Sequence, residues 1–179
     1  MIDTDNAISI ERAANVRLMI FDVDGVLTDG SLHFGPEGEV LKTFNVLDGH
    51  GIKMLQQAGI ATAIISARQS PSVTRRAADL GIVHVYQGVH DKRVAFEELI
   101  AGSGFAATSC GFAGDDIIDL PILRRAGFAA SVPNGHPEVR ARVHYVTHAA
   151  GGRGAAREIC DFILRAQNKY EAALAPYLA

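Results

Sequence analysis

Short apolar segments alternate with amphipathic segments along most of the chain. The apolar segments end at glycine or polar residues, which is the pattern of strands buried in a parallel sheet. They predict strands at residues 18–21, 60–65, 83–86, 109–113, 127–132 and 143–146. Apolar spacing, capping residues and terminal glycines predict helices at residues 52–58, 71–80, 91–101, 117–126 and 137–142. The alternation predicts the α/β class, with a doubly wound parallel sheet.

Three segments depart from this alternation, although we expect residues 1–179 to form a single domain. Residues 1–15 predict a loose leader with a short helix. Residues 31–46 contain two half-apolar stretches on either side of a Gly-Pro-Glu-Gly sequence, which predicts an inserted β-hairpin. Residues 154–176 predict an amphipathic tail helix. Its apolar face carries Ile159, Phe162, Ile163 and Ala166.

Composition and charge restrict the classes of partner. The chain is 48% hydrophobic and 21% charged, which is ordinary for a globular protein. Its net charge of −3 argues against a nucleic-acid partner. Residues 1–5 lack the features of a signal peptide, and no apolar run reaches transmembrane length, so we expect no membrane partner and a cytoplasmic location. Cys110 and Cys160 lie in apolar segments and are predicted to be buried free thiols.

Polar side chains follow several of the predicted strands at the point where each strand ends. Asp22 and Asp24 follow the first strand, Ser66 follows the second, and residues 114–116 (Gly-Asp-Asp) follow a later one. Because the carboxyl ends of parallel strands meet at one edge of the sheet, we expect these residues to converge. Gly25 allows the backbone between them to turn and to approach a ligand closely.

This set of residues suits phosphoryl transfer. Clustered aspartates bind a hard cation such as Mg²⁺. The Ser66 hydroxyl and backbone N–H groups suit phosphate oxygens, and Lys92, just before a helix, supplies positive charge. The histidines have no ligand spacing, and no serine or cysteine has a histidine positioned by spacing. An aspartate carboxylate is therefore the better candidate nucleophile.

Four segments resemble, in order and in register, the four motifs of the haloacid dehalogenase superfamily of phosphatases. They are residues 22–28, residues 66–68, Lys92 and residues 114–119. The resemblance implies that Asp22 is the nucleophile and becomes an aspartyl phosphate. It implies that Asp24 is the general acid for the leaving alcohol and then the general base for water. Ser66 and Lys92 would hold the phosphoryl group.

The resemblance also implies a Mg²⁺ cofactor. The metal would be bound by Asp22, Asp115 and the backbone carbonyl of Asp24. Asp116 and Asp119 would support the water ligands of the metal and Lys92. An acid at position 24 favours rapid hydrolysis of the intermediate, because relatives with threonine there include ion-pump ATPases whose intermediate must persist.

A closer resemblance covers nearly the whole chain and is to the family of 3-deoxy-D-manno-octulosonate 8-phosphate (KDO 8-phosphate) phosphatases. The further matching segments are residues 28–30, 44–52, 87–92 and 151–158. The resemblance implies hydrolysis of this small-molecule sugar-acid phosphate in lipopolysaccharide precursor synthesis. We expect Gly25, Ala67 and Arg68 to contact the substrate, with Arg68 on its carboxylate. Ala67 stands where the family usually has glycine, and related members act on other nonulosonic acid phosphates, so both substrates stay open.

The spacing of the motifs leaves no room for a cap domain. There are 36 residues between Asp29 and Ser66 and 22 between Lys92 and Asp115, and the predicted elements use most of them. An open site must be closed by something else. The family resemblance implies a homotetramer in which the hairpins form a central barrel and neighbouring subunits shape each site.

The tail is a second candidate for closing the site. Gly151, Gly152 and Gly154 predict a flexible hinge, and Arg153 and Arg157 follow as cationic side chains. We expect this segment to fold over an active site, that of an adjacent subunit, with Arg153 or Arg157 binding the substrate. The alternative is a tail that packs only on its own core.

A non-enzyme interpretation also fits part of the pattern. Receiver domains of two-component signalling are doubly wound and carry an acidic Mg²⁺ pocket, a phosphorylated aspartate, a hydroxyl and a lysine. The acid two residues after the candidate nucleophile and the separate Gly-Asp-Asp edge favour a phosphatase instead. The same features disfavour a catalytically inactive scaffold, because the motif set is intact.

Overall fold

The computed structural model describes residues 4–179, so the first three residues of the predicted leader lie outside the described residues. The helices and strands are, in order, α1 Thr4–Ala14, β1 Leu18–Phe21, β2 His33–Gly35, β3 Gly38–Leu41, α2 Val46–Gln57, β4 Ala61–Ile65, α3 Pro71–Leu80, β5 His84–Tyr86, α4 Lys92–Ser103, β6 Cys110–Ala113, α5 Leu120–Leu123, β7 Phe128–Ser131, α6 Pro137–Arg140, β8 Tyr145–Val146, α7 Ala155–Ala166 and α8 Tyr170–Leu174. Between residues 4 and 179, no helix combines the length and the apolar character needed to cross a membrane.

Six of the strands form one parallel sheet in the order β5-β4-β1-β6-β7-β8. The central strand β1 pairs with β4 and β6, and its last residue, Phe21, lies opposite Ile64 and Ala113. The carboxyl ends of these three strands are therefore level with one another. The predicted doubly wound parallel sheet is confirmed, and no cap domain is inserted into the described part of the chain.

Side chains of β1 alternate between two apolar layers. Met19 and Phe21 belong to a layer that includes residues of α2 and α7, whereas Leu18 and Ile20 belong to a layer that includes residues of α4 and α5. All four are fully buried because helices cover both faces of the sheet. Helix α7 is part of this core, since its apolar face, including Ile159 and Ile163, is also fully buried.

Two predicted helices differ from the structure near the site. Helix α2 begins at Val46 rather than at residue 52, because the side chain of Asn45 accepts a hydrogen bond from the Leu47 backbone N–H at 2.8 Å and caps it. The helix predicted at residues 117–126 is a 3-10 turn at Ile117–Asp119 followed by the short α5. A reciprocal capping interaction between Asp116 and Asp119 tightens this turn.

The tail is not one continuous helix. Helix α7 ends at Ala166 and α8 begins at Tyr170. Between them Asn168 adopts a left-handed conformation (φ 56°), and the Lys169 backbone N–H donates to the Leu164 carbonyl at 2.8 Å. This bond terminates α7, so the prediction of a single helix over residues 154–176 is wrong at this point.

Strands β2 and β3 form a separate antiparallel hairpin outside the main sheet. The paired residues are fewer than the predicted residues 31–46. Phe34, Val40 and Leu41 are 62%, 65% and 53% exposed, so the hairpin presents apolar side chains to solvent in a single chain.

Candidate active site

The loop that follows β1 has a backbone shape that depends on Gly25. Residues Val23–Leu27 form a short turn whose backbone leaves helical geometry at Asp24 and Gly25. Gly25 has a φ of +93°, and a Cβ atom there would lie 2.1 Å from Asp115 Oδ2. Only glycine allows the loop to approach the carboxylate of the neighbouring strand end so closely.

Thr28 holds this loop together, a role that sequence reasoning missed. Its backbone N–H donates to the Val23 carbonyl at 3.0 Å, and its hydroxyl donates to the same carbonyl at 3.3 Å. The hydroxyl also accepts from the backbone N–H groups of Gly25 and Gly30. Threonine after a strand carries no signal that distinguishes such a role, because the bonds depend on the folded loop.

A pocket of about 140 Å³ lies at the carboxyl edge of the sheet, beside this loop. It is lined by Asp22, Asp24, Ser66, Ala67, Arg68, Lys92, Asp115, Asp116 and Ile118. The predicted convergence of strand ends is therefore present in the structure. Arg153 and Arg157 do not line this pocket within one chain.

Lys92 lies between two carboxylates at the base of the pocket. Its ammonium nitrogen is 2.9 Å from Asp22 Oδ1 and 2.6 Å from Asp119 Oδ1, and the residue is 3% exposed. Burial alone would lower the pKa of Lys92, but the two carboxylates outweigh it and raise the pKa. Lys92 therefore carries its charge beside Asp22.

The carboxylates of the pocket are crowded, and in their ionised forms they repel one another unless a divalent cation lies between them. Burial, and then the nearby Asp119, raises the pKa of Asp22 to about 8 and the pKa of Asp115 to about 7, although Lys92 opposes both shifts. Carboxylate oxygens of Asp22, Asp115 and Asp119 lie within 4.8 Å of one another. Asp115 Oδ1 is buried and has no hydrogen-bond partner. An all-oxygen donor set with an unpartnered buried oxygen fits a hard divalent cation such as Mg²⁺.

Asp119 and Asp116 shape the turn after β6 through hydrogen bonds to backbone N–H groups. Asp119 is fully buried, and its Oδ2 accepts from the backbone N–H groups of Asp115 and Asp116 at 3.0 and 3.1 Å. Because its other oxygen contacts Lys92, Asp119 is occupied by interactions within the protein. Asp116 lies at the rim, where it caps the following turn through the Ile117 backbone N–H at 2.7 Å.

The turn after β4, residues 66–68, forms a further part of the pocket wall. Ser66 is buried, and its hydroxyl oxygen accepts from the Arg68 backbone N–H at 3.3 Å. Ala67 is exposed at the rim. The Nε atom of Arg68 lies 3.9 Å from Asp24 Oδ2. This atom is buried and has no hydrogen-bond partner, although 39% of the side chain is exposed. A guanidinium with an unused donor therefore stands beside Asp24.

The hairpin contributes two charged residues that sequence reasoning missed. The ammonium of Lys42 contacts Asp24 Oδ1 and lies 3.2 Å from Glu39 Oε2. Glu39 also accepts from Ser70 Oγ at 2.8 Å and from Arg68 Nη2 at 3.4 Å. In the sequence, both residues look like ordinary charged surface positions of a half-apolar hairpin. No local pattern indicates that Lys42 is buried or that Glu39 is partly buried.

The predicted glycine hinge is wrong, because the glycines provide close packing. A Cβ atom at Gly151 would lie 1.7 Å from the Gly25 carbonyl oxygen, and one at Gly152 would lie 2.5 Å from the Asp29 nitrogen. The Gly152 backbone N–H also donates to the Val26 carbonyl at 2.9 Å. The segment before α7 is thus fastened to the loop that carries Asp24.

The two tail arginines form ion pairs with acids that do not line the pocket. Arg153 is largely exposed, and its guanidinium is 3.8 Å from Asp29 Oδ2. Arg157 forms an ion pair with Asp161 at 2.8 Å on the same helix. Helix α7 packs on its own core, so within a single chain it does not close the pocket.

Asp48 anchors the start of α7 from the neighbouring helix α2. Its Oδ1 accepts from the Arg157 backbone N–H at 2.8 Å, whereas its buried Oδ2 has no partner. Burial raises the pKa of Asp48, although backbone hydrogen bonds at the start of α7 oppose the shift. This acid lies outside the pocket and supports its scaffold.

The fold and this edge of carboxylates, lysine and serine define a haloacid dehalogenase-like hydrolase, the family to which residues 77–159 are matched. The chain is 48% identical over 164 residues to the 3-deoxy-D-manno-octulosonate 8-phosphate phosphatase of Yersinia pestis, covering 92% of this chain and 88% of the relative. A crystal structure of that Yersinia pestis phosphatase superimposes with a TM-score of 0.89, covering 92% of this chain and 89% of the other.

A crystal structure of the same phosphatase from Moraxella catarrhalis, in complex with a magnesium ion, a phosphate ion and a KDO molecule, is 44% identical. It superimposes with a TM-score of 0.92 over 96% of this chain and 98% of the other. The chain belongs to the family of 3-deoxy-D-manno-octulosonate 8-phosphate phosphatases. Because this is a family of hydrolases, the signalling-switch interpretation does not apply.

Proposed function

We propose that this protein is a Mg²⁺-dependent phosphatase that hydrolyses KDO 8-phosphate to KDO and inorganic phosphate in lipopolysaccharide precursor synthesis. The observation that carries the proposal is the convergence of Asp22, Asp24, Ser66, Lys92 and Asp115 on one pocket at the carboxyl edge of the sheet. Family membership and the Moraxella catarrhalis complex support the choice of substrate and of metal.

The first step forms a covalent intermediate on Asp22. A carboxylate oxygen of Asp22 attacks the phosphorus atom, and the bond from phosphorus to the sugar oxygen breaks. Asp24 gives a proton to the leaving oxygen, which becomes the alcohol of KDO. Lys92 holds Asp22 in place through Oδ1 and keeps a positive charge beside the reacting group.

The second step hydrolyses the aspartyl phosphate. Asp24, now ionised, takes a proton from water as the water oxygen attacks phosphorus, and the Asp22 carboxylate is released. Ser66 supplies a hydroxyl at the wall of the pocket for a phosphoryl oxygen. When bound, Mg²⁺ would be held by Asp22, Asp115 and the backbone carbonyl of Asp24, and it supplies positive charge for the phosphoryl oxygens and the crowded carboxylates.

Substrate recognition rests on Arg68 in this proposal. A sugar acid carries a carboxylate, and the partly exposed guanidinium of Arg68 lines the pocket. Ala67, exposed at the rim, leaves the backbone there open to the substrate, whereas Gly25 acts by letting the loop approach Asp115. Asp116 and Asp119 support the water ligands of the metal. Asp119 also holds Lys92 through the contact between their side chains.

We further propose that the protein acts as a homotetramer. The pocket of one chain measures about 140 Å³. Sites for small molecules usually span about 300–1,000 Å³, so one chain encloses only the reacting end of the substrate. The exposed Phe34, Val40 and Leu41 of the hairpin form an apolar surface suited to contact with other copies. Arg153, which is exposed, then remains a candidate contact to the substrate of a neighbouring copy, and Arg157 a weaker one.

The localisation proposed is cytoplasmic. Cys110 and Cys160 are buried free thiols that form no disulfide with each other. Such thiols suit a reducing compartment.

The test is a comparison of sugar-acid phosphates with the purified full chain and Mg²⁺. Phosphate release from KDO 8-phosphate should exceed release from other nonulosonic acid phosphates, measured as kcat/KM, and Asp22→Asn should remove both. Faster turnover of another nonulosonic acid phosphate would replace the substrate while leaving the mechanism. No turnover of any phosphate ester would overturn the proposal.

A further inference from the structure

The hairpin carries a buried charge, Lys42, that takes part in neither step of the proposed reaction. Val40 and Leu41 are largely exposed, but the next residue, Lys42, is only 7% exposed. An ammonium group loses hydration on burial and is stable there only beside compensating groups. Lys42 finds them in the carboxylates of Asp24 and Glu39, and it is Asp24 that exchanges protons with substrate in the proposed function.

The contact with Lys42 distinguishes the two oxygens of the Asp24 carboxylate. Oδ1 contacts the Lys42 ammonium, whereas Oδ2 lies on the side of Arg68, whose Nε is 3.9 Å away. Asp24 and Arg68 line the pocket, and Lys42 does not. The oxygen on the Arg68 side, Oδ2, is therefore the one left free of the Lys42 ammonium, and the charge-assisted contact at Oδ1 restricts rotation of the carboxylate.

Glu39 holds Lys42 in this position from the other side. Its carboxylate contacts Lys42, Arg68 and the Ser70 hydroxyl, so it links the hairpin to the start of α3. Burial would raise the pKa of Glu39, but the hydrogen bond from Ser70 and the two cations hold that pKa below its usual value. The ammonium of Lys42 is thus placed between two acids, one from the hairpin and one from the active-site loop.

We propose that Lys42 is a positioning residue for proton transfer: it binds Oδ1 of Asp24, so that Oδ2 serves the leaving oxygen in the first step and water in the second. This rests on the proposed phosphatase activity but not on the identity of the sugar. It gives the hairpin a role in catalysis within its own chain, apart from any role in assembly.

The experiment compares leaving groups that need a proton to different degrees. Lys42→Met removes the ammonium and keeps an unbranched side chain of similar length, and Lys42→Arg keeps a cation. Lys53→Met on α2, a half-buried lysine outside the pocket, is the matched control. Single-turnover formation of the aspartyl phosphate is followed with phenyl phosphate, whose leaving oxygen benefits from protonation, and with p-nitrophenyl phosphate, whose leaving oxygen does not.

In Lys42→Met, the rate with phenyl phosphate should fall about tenfold or more, since general acids contribute about 10²–10⁴-fold. The rate with p-nitrophenyl phosphate should change about threefold or less, because its first step does not use the Asp24 proton. Lys42→Arg should recover most of the phenyl phosphate rate, and Lys53→Met should match the unmodified protein with both substrates.

Equal losses with both aryl phosphates, or no loss with either, would overturn the role of Lys42. If Lys42→Met does not fold, as judged by circular dichroism and thermal unfolding, Lys42→Gln replaces it. Its shorter, uncharged side chain lacks the charge-assisted contact with Oδ1, so the phenyl phosphate rate should still fall much more than the p-nitrophenyl phosphate rate. Aryl phosphates separate this test from the choice of sugar: failure of KDO 8-phosphate as a substrate leaves it intact, and only the absence of turnover with every phosphate ester, aryl or sugar, would overturn the proposed function itself.

Discussion

The carboxyl edge of the sheet and the hairpin both bring charged side chains to the pocket, but they do so in opposite ways. At the edge, largely apolar strands are followed by acids or, after β4, by Ser66, and the parallel arrangement of strands brings these residues together. In the hairpin, Phe34 and Val40 point to solvent and the charged Lys42 points inward. The edge supplies the reacting groups, whereas the hairpin presents an apolar face outward and a charged face to Asp24.

This difference separates the residues that carry out the reaction from the surface proposed to join copies of the chain. The groups of the edge are held by contacts with one another, such as the contact between Lys92 at the start of α4 and Asp119 in the turn after β6. The hairpin is joined to the site through the ion pairs of Lys42 and Glu39. Changes at the edge should therefore remove activity outright, and changes on the outer face of the hairpin should act through association of copies.

The largest effect is expected from Asp22→Asn, which removes the nucleophile of the edge. Turnover should fall by a factor of about 10⁴ or more. The fold should persist, and the metal-free protein should unfold at an equal or higher temperature, since burial raises the pKa of Asp22 to about 8 and disfavours its charged form. Phosphate release and thermal unfolding measure the two effects; near-normal turnover would rule out the covalent mechanism.

Removal of the divalent cation should also abolish the phosphatase activity of the site. EDTA should eliminate phosphate release and Mg²⁺ should restore it, because Asp22 and Asp115 need a divalent charge to remain ionised together. Ca²⁺ should restore little, since its larger and looser coordination sphere misplaces phosphoryl oxygens. Full activity after exhaustive chelation would contradict the assignment of the pocket as a metal site.

A double change on the outer face of the hairpin, Phe34→Ser with Val40→Ser, should alter assembly more than folding. Both side chains are more than half exposed, so each substitution should change the free energy of unfolding of an isolated chain by about 0.5 kcal/mol or less. Size-exclusion chromatography with light scattering should show smaller assemblies than the unmodified protein, if hairpins join the copies. An unchanged assembly would place the interface elsewhere.

The smallest effect is expected at Asp48, a buried acid outside the pocket. Its folded pKa lies above the ordinary value of 3.8, so the folded state holds a proton that the unfolded state releases. Stability is therefore lost as pH rises above about 4, through the interval up to the raised pKa. Asp48→Asn removes the titrating carboxyl group. This variant should therefore have a higher free energy of unfolding than the unmodified protein over that interval, by up to about 1 kcal/mol.

Thermal unfolding of both proteins from pH 4 to pH 8 measures this difference. The Asn variant keeps an acceptor for the Arg157 backbone N–H, so it serves as its own structural control. A stability difference that does not change with pH would show that Asp48 is not the titrating group.

The sequence by itself determined the sheet and the chemical centre of the site. Apolar runs that end in polar residues locate the ends of strands, and a parallel sheet necessarily brings those ends to one edge. Asp22, Asp24, Ser66 and Asp115 could be placed together for this reason, and Lys92 followed from the motif it belongs to. These are consequences of local pattern and of a topology that the pattern specifies.

The tertiary structure alone decided the contacts that join separate elements at the site. Lys42 reads as a solvated hairpin residue, and only the position of the hairpin over Asp24 buries it. Gly151 and Gly152 read as a hinge, but the loop at Gly25 and Thr28 leaves no space for a side chain there. Burial of a charge or exclusion of a Cβ atom depends on which distant segment lies opposite, and no local spacing in the chain specifies that neighbour.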